Sequence, residues 1–62
     1  MIKLSTLAHK EFYINCDLIE KIEANPDTLI TMTNGNKYVV ENSPDEIIRR
    51  IKDFKREILG KN

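Results

Sequence analysis

Two β-prone runs, Thr28-Leu29-Ile30-Thr31-Met32-Thr33 and Asn36-Lys37-Tyr38-Val39-Val40, flank the dipeptide Asn34-Gly35. Nothing else in this chain of sixty-two residues limits the fold as much. Asn-Gly suits the two-residue hairpin turn in which both central residues take positive φ, a state that Gly and Asn tolerate and most residues resist. A two-residue loop predicts Met32 opposite Lys37, Thr31 opposite Tyr38, Ile30 opposite Val39 and Leu29 opposite Val40. One sheet face then carries Leu29, Thr31, Tyr38 and Val40, and the other carries Ile30, Met32 and Val39. Neither face is purely polar, so both are expected to touch something. A second apolar face on so small a chain points to contact with another protein.

The length suits one domain over residues 1–62. A chain this short buries only about 60% of its unfolded surface, so its stability margin is thin. Disulfides and metals are the usual supplements. Cys16 is the single cysteine and His9 the single histidine, so neither an intrachain bridge nor a Cys/His zinc cluster is available. Oligomerisation or docking is the supplement that remains.

Ten basic residues balance ten acidic ones. That lacks the strong basic excess of an electrostatic nucleic-acid binder. The balance hides an asymmetry, because the six basic residues after position 42 outnumber four acidic ones. The N-terminus has no signal-peptide pattern, and no apolar run approaches the roughly 20 residues of a membrane-spanning helix. With its lone cysteine, the chain reads as cytoplasmic, with room for peripheral docking at the inner face of a membrane.

Further elements follow from pattern. Residues 2–7 alternate as a strand, and Glu11-Phe12-Tyr13-Ile14-Asn15 reads as a second. A three-residue loop, Ala8-His9-Lys10, places Ile2, Leu4, Phe12, Ile14 and Cys16 on one face, whereas a two-residue loop scatters them. Residues 15–19 read as a turn held by Asn15 or Asp17, and residues 20–24 as a short strand. Asn25-Pro26-Asp27 is a tight turn. Ser43 as N-cap, Pro44 at the first helical position and Glu46 three residues past the cap open a helix. Ile47, Ile48, Ile51, Phe54 and Ile58 give it an apolar stripe, with Ile51 and Phe54 expected as core anchors. Asp45 and Glu46 suit the positive end of its dipole, and Lys55, Arg56 and Lys61 the negative end. Gly60 is the expected stop. The order β-β-β-β-β-α predicts an α+β fold, a small, strongly bent antiparallel sheet of about five strands with one C-terminal amphipathic helix.

No residue pattern calls for catalysis. His9 falls on a turn with no nearby nucleophile. Cys16 falls on the inward face, where a thiol is structural rather than reactive. Asp17, Glu20 and Glu23 set no two oxygens around a common atom. Gly35 and Gly60 belong to a turn and a helix end, not to a phosphate loop. No cofactor, metal or small-molecule substrate is expected.

Taken in order, Met1-Ile2-Lys3-Leu4, Glu11-Phe12-Tyr13-Ile14-Asn15, Asp17-Leu18-Ile19-Glu20, Ile22-Glu23, Pro26-Asp27-Thr28, Thr31-Met32-Thr33-Asn34-Gly35 and Lys37-Tyr38-Val39-Val40, with the amphipathic helix behind them, resemble the small FlbD-type flagellar proteins. These are also called SwrD swarming-motility proteins. The likeness spans almost the whole chain. It departs at the first loop, where family members usually carry Asn-Gly, and at Cys16, more often Pro. The resemblance implies a non-enzymatic role in motility, through support of stator function at the cytoplasmic membrane, and it brings no catalytic residues. A partial likeness of Phe12 to Val40 to the LytTR-type DNA-binding domain supplies the alternative, a small nucleic-acid-binding regulator; the neutral charge disfavours it.

A docking protein should carry its working residues on exposed positions. Tyr38, expected on the second sheet face, and Arg49, Arg50 and Arg56 on the helix are the candidates, since Tyr and Arg combine large contact area with hydrogen bonding. The expected partner is a flagellar motor or stator protein, or a second copy of the chain.

Overall fold

The computed structural model describes residues 1–60. The strands are β1 (Ile2–Ser5), β2 (Glu11–Ile14), β3 (Ile19–Ala24), β4 (Thr28–Met32) and β5 (Lys37–Val40), followed by the helix α1 (Pro44–Ile58). The fold is α+β, as the sequence predicts. Its strands form two antiparallel sheets, β1–β2 and β3–β4–β5. The sheets meet at one corner, where Thr6 bridges to Val40 and the Glu41 N–H donates to the Ser5 carbonyl at 2.9 Å. They do not close into a barrel.

Both hairpins use the same turn. In the first, the Thr6 N–H donates to the Lys10 carbonyl at 2.8 Å and the His9 N–H to the Thr6 carbonyl at 2.9 Å. His9 takes φ 65°. The loop has the expected three residues but starts one position earlier, at Leu7, so Leu4 pairs with Phe12 and Ile2 with Ile14. That register differs from the expected one by two, and a slip of two leaves every side chain on its face. Ile2, Leu4 and Ile14 are accordingly buried, with Phe12 half-buried beside them. Leu7 falls outside the strand and is exposed.

The second hairpin corrects the expected two-residue turn. The Met32 N–H donates to the Asn36 carbonyl at 2.8 Å and the Gly35 N–H to the Met32 carbonyl at 2.9 Å. The loop is therefore Thr33-Asn34-Gly35, and only Gly35, at φ 92°, takes the left-handed conformation. Asn34 instead accepts the Asn36 N–H on Oδ1 at 3.0 Å. The register moves by one, to Ile30 opposite Tyr38 and Thr28 opposite Val40. A slip of one exchanges faces. Thr28, Ile30, Met32, Tyr38 and Val40 share the core face, and Leu29, Thr31, Lys37 and Val39 share the outer one. The reason is burial: this register gathers Ile30, Met32 and Val40 into one core, and the two-residue turn separates Val40 from the other two. The expected second apolar face thus shrinks to Leu29 and Val39, and Tyr38 leaves it.

Asn15 caps the 3-10 turn Cys16–Leu18 by accepting the Asp17 N–H on Oδ1 at 3.0 Å, and Cys16 turns inward, buried and unpaired. A bulge between Ile19 and Lys21 in β3 absorbs one residue. Positions 19 and 22 have opposite parity, and the bulge lets both side chains lean on the core. Residues 25–27 turn as expected, with the Asn25–Pro26 peptide cis.

The helix begins as its sequence dictates. Ser43 Oγ accepts the Glu46 N–H at 3.1 Å, and Pro44 occupies the first turn. Gly60 follows the helix with φ 69°. Lys61 lies outside the described residues. Ile47 is the one helical side chain buried completely, while Ile51 and Phe54 are half-buried against the core. Ile48 and Ile58 are exposed, so the apolar stripe is narrower than its five residues suggest.

Candidate functional site

Strand edges are where a sheet can leave its backbone groups without a ladder partner, and ladder alternation says which groups each edge presents. In an antiparallel pair, bonded and non-bonded residue pairs alternate. The Thr6–Lys10 bond makes Leu4–Phe12 and Ile2–Ile14 bonded pairs. The peptide groups of Lys3 and Ser5 then point away from β2. Every one of these that has a recorded partner meets it on the helix side. The Ser5 N–H donates to Asn42 Oδ1 at 2.9 Å, and the Ser5 carbonyl accepts the Glu41 N–H. The Lys3 carbonyl accepts from Arg50 Nη1. Asn42 is buried, and Arg50 Nη2 also donates to Glu46 Oε2 at 3.0 Å. The β5–α1 connection and the helix thus close the β1 edge at three of its four outward groups.

The β5 edge is built otherwise. The Met32–Asn36 bond makes Ile30–Tyr38 and Thr28–Val40 the bonded pairs. The Val39 N–H and both peptide groups of Lys37 therefore turn outward. Beside them lies an open cleft of about 420 Å³, whose walls include Phe12, Tyr38 and Val39, with Lys10, Glu11 and Lys37 at its rim. The rings of Phe12 and Tyr38 stand 5.8 Å apart and tilted by 34°. This contact joins the two sheets below the cleft and leaves Tyr38 39% exposed. Among the described residues, Lys10 and Lys37 make no ion pair, whereas Glu11 lies 3.9 Å from Lys3.

The candidates from sequence fall into two places. Tyr38 lines the cleft. Arg50 and Arg56 border a separate shallow groove of about 580 Å³ with Met1, Asp53, Phe54 and Glu57. Arg50 is a strut between helix and β1, committed to Lys3 and Glu46. Arg56 is exposed, 4.0 Å from Asp53. Arg49 is exposed and makes no ion pair among the described residues. Sequence reasoning missed Asn42, whose only signal is its place just before the helix cap, and the meeting of Lys10 and Lys37 at one cleft.

At the other end of the helix, Lys55 Nζ meets Asp17 Oδ1 at 2.5 Å. This hydrogen bond, with the charge attraction behind it, lowers the Asp17 pKa and raises that of Lys55. Both groups are exposed to solvent. His9 Nδ1 lies 2.9 Å from Glu41 Oε1 on the surface. No His/Cys/Asp/Glu group among the described residues is arranged to hold a metal ion. No described helix is long and apolar enough to cross a membrane.

Comparison with known proteins gives one result that spans the fold. The profile of a family described as FlbD, flagellar and swarming motility proteins, matches residues 1–59. Neither the curated proteins nor the solved structures give a match. The matched segment runs from β1 to the end of α1, so the turns, the closed β1 edge and the open β5 cleft all lie inside it. This chain belongs to the FlbD family of flagellar and swarming motility proteins.

Proposed function

We propose that the protein is a non-enzymatic docking module of the flagellar system that supports motor function by contact with a stator or other motor protein. Membership of the flagellar and swarming motility family carries this reading. Exposed Arg49 and Arg56 on α1 and half-open Tyr38 on β5 support it, because they are anchor-type side chains left at the surface. Arg50 joins the contact surface from its strut position, where its first task is to hold the helix to β1. The proposed place of action is the cytoplasmic side of the membrane, by peripheral contact near the motor. A second copy of the chain is the alternative partner. The nucleic-acid reading is not favoured: Arg50, Lys55 and Arg56 lie beside acidic groups, and the net charge is zero.

The test reverses charge where the fold does not use it. In cells, Arg49→Glu with Arg56→Glu should lower swimming or swarming torque while the melting temperature changes little. Reversal should exceed the effect of alanine at the same positions, because it adds repulsion against an acidic partner. Normal torque in a folded double variant removes the helix face from the mechanism.

A further inference from the structure

We infer that the cleft at the β5 edge binds an extended, acidic segment of a partner protein, which adds as a strand alongside Lys37–Val39. This rests on the docking reading above and names the chemistry of the partner.

Three independent features define the occupant. The first is backbone polarity. The outward Lys37 N–H and C=O and the Val39 N–H form a short row of ladder groups spaced for another strand, and only an extended backbone matches that spacing. The corresponding outward groups of Ser5 on β1 are met by Asn42 and Glu41. The fold therefore has the means to close an edge and uses them on β1. On β3, the bulge at Ile19/Lys21 spoils the template instead. The second feature is the apolar wall, where Phe12, Tyr38 and Val39 flank the cleft and offer alternate side chains of an added strand a surface to cover. Tyr38 and Val39 remain 39% and 43% exposed. The third is charge. Lys10 and Lys37 stand at the rim without ion pairs among the described residues, and the one rim carboxylate, Glu11, faces Lys3.

A second copy of this chain is a poorer occupant. Pairing two β5 edges brings a second Lys37 and a second Lys10 to the cleft, and the one carboxylate that comes with them, Glu11, already faces Lys3 of its own copy. An acidic strand supplies the missing charge and the missing backbone partners together.

The experiment titrates the labelled protein with a capped seven-residue peptide in which valine and glutamate alternate, and reads backbone amide shifts and hydrogen exchange. The expected result is movement of the Lys37 and Val39 amides with slowed exchange at both, weakened by salt. The peptide with lysine in place of glutamate should not bind. Val39→Pro tests the strand geometry. The Val39 N–H points away from β4, so proline there leaves the β4–β5 ladder intact but removes a donor from the cleft. Loss of one such bond should weaken binding about tenfold. Lys10→Glu with Lys37→Glu should reverse the preference between the two peptides, and it keeps the test alive if proline perturbs the fold. Binding that leaves the Lys37 and Val39 amides unmoved, no binding at low salt, or equal binding to Val39→Pro overturns the inference. Concentration-dependent shifts of the same amides without peptide overturn it in favour of a second copy. The docking reading itself fails separately, through normal torque in a folded protein that carries Arg49→Glu and Arg56→Glu together with Lys10→Glu and Lys37→Glu.

Discussion

The β1 edge and the β5 edge lie at the same corner of the molecule and meet at Thr6 and Val40, yet they are finished differently. On β1, a buried asparagine, an arginine from the helix and the backbone of Glu41 take up three of the four outward peptide groups of Lys3 and Ser5. On β5, the equivalent groups of Lys37 and Val39 face an open cleft walled by Phe12 and Tyr38. The difference teaches where this small fold spends its few side chains. Those near the helix complete the β1 edge and hold the structure. Beside β5, Lys10 and Lys37 make no ion pair among the described residues, and no polar side chain is recorded on the outward groups of that edge.

The comparison breaks most severely if the closed side loses its apolar anchor. Ile47 is fully buried and is the helix's deepest residue against the sheets. Ile47→Ala should cost about 2–5 kcal/mol. A domain of this size has only a few kcal/mol in total, so the variant should be partly or wholly unfolded in a denaturant titration. Phe54→Ala should cost less, because its ring is only half-buried. A smaller loss from Ile47 than from Phe54 would place the helix's anchor at its other end.

Asn42 comes next. Asn42→Ala leaves the Ser5 N–H without its partner and should cost about 1–3 kcal/mol, read from the denaturation midpoint. Arg50→Ala removes the donors to Lys3 and Glu46 from a half-exposed site and should cost about 1 kcal/mol or less. On the open side, Lys37→Ala and Lys10→Ala should leave the midpoint unchanged within about 0.5 kcal/mol, since both keep their backbone bonds and neither side chain makes an ion pair among the described residues. Equal losses on the two sides would erase the distinction.

The smallest effect belongs to the Asp17–Lys55 pair. The folded Asp17 pKa lies below its unfolded value, so its contribution is present above the unfolded pKa and lost as pH falls through the folded one. The folded Lys55 pKa lies above its unfolded value, so its contribution is present below the unfolded pKa and lost as pH rises through the folded one. Wild type should exceed Lys55→Met slightly in melting temperature across neutral pH, and the gap should close at both acidic and strongly alkaline pH. An exposed pair is worth little, so a wide gap at neutral pH would mean that the helix end is held more firmly than its exposure suggests.

Much of the fold was legible in the sequence because some signals act within a few residues. Ser43, Pro44 and Glu46 open the helix, Asn15 caps its turn, and the alternation of Ile2, Leu4, Phe12 and Ile14 finds the inward face. Register was not legible to the same degree. Periodicity is blind to a slip of two, so the first hairpin keeps its faces while its loop starts at Leu7. In the second, Asn34-Gly35 serves either a two-residue turn or a three-residue turn with glycine last. The choice depends on joining Val40 with Ile30 and Met32, a tertiary preference. His9 fills in the first loop the left-handed slot that Gly35 fills in the second, which a histidine does not announce. The bulge in β3 is equally silent, since it shows only when Ile19 and Ile22 are both seen against the core. The candidate site was legible only as residue types. Tyr38 and the arginines stand out as contact side chains, but which edges are closed depends on Asn42 and Arg50 reaching β1 from 37 and 47 residues away.

Native-state hydrogen exchange, resolved by residue, tests the contrast between the edges most directly. The Ser5 and Glu41 amides are held at the closed corner and should exchange slowly, near the limit set by global unfolding. The Lys37 and Val39 amides should exchange quickly in the free protein, while Tyr38 between them is protected by Ile30. That fast–slow–fast pattern along β5, beside a protected Ser5, is the predicted result. Lys37 and Val39 amides as slow as that of Ser5 would show the β5 edge already closed and would contradict the account.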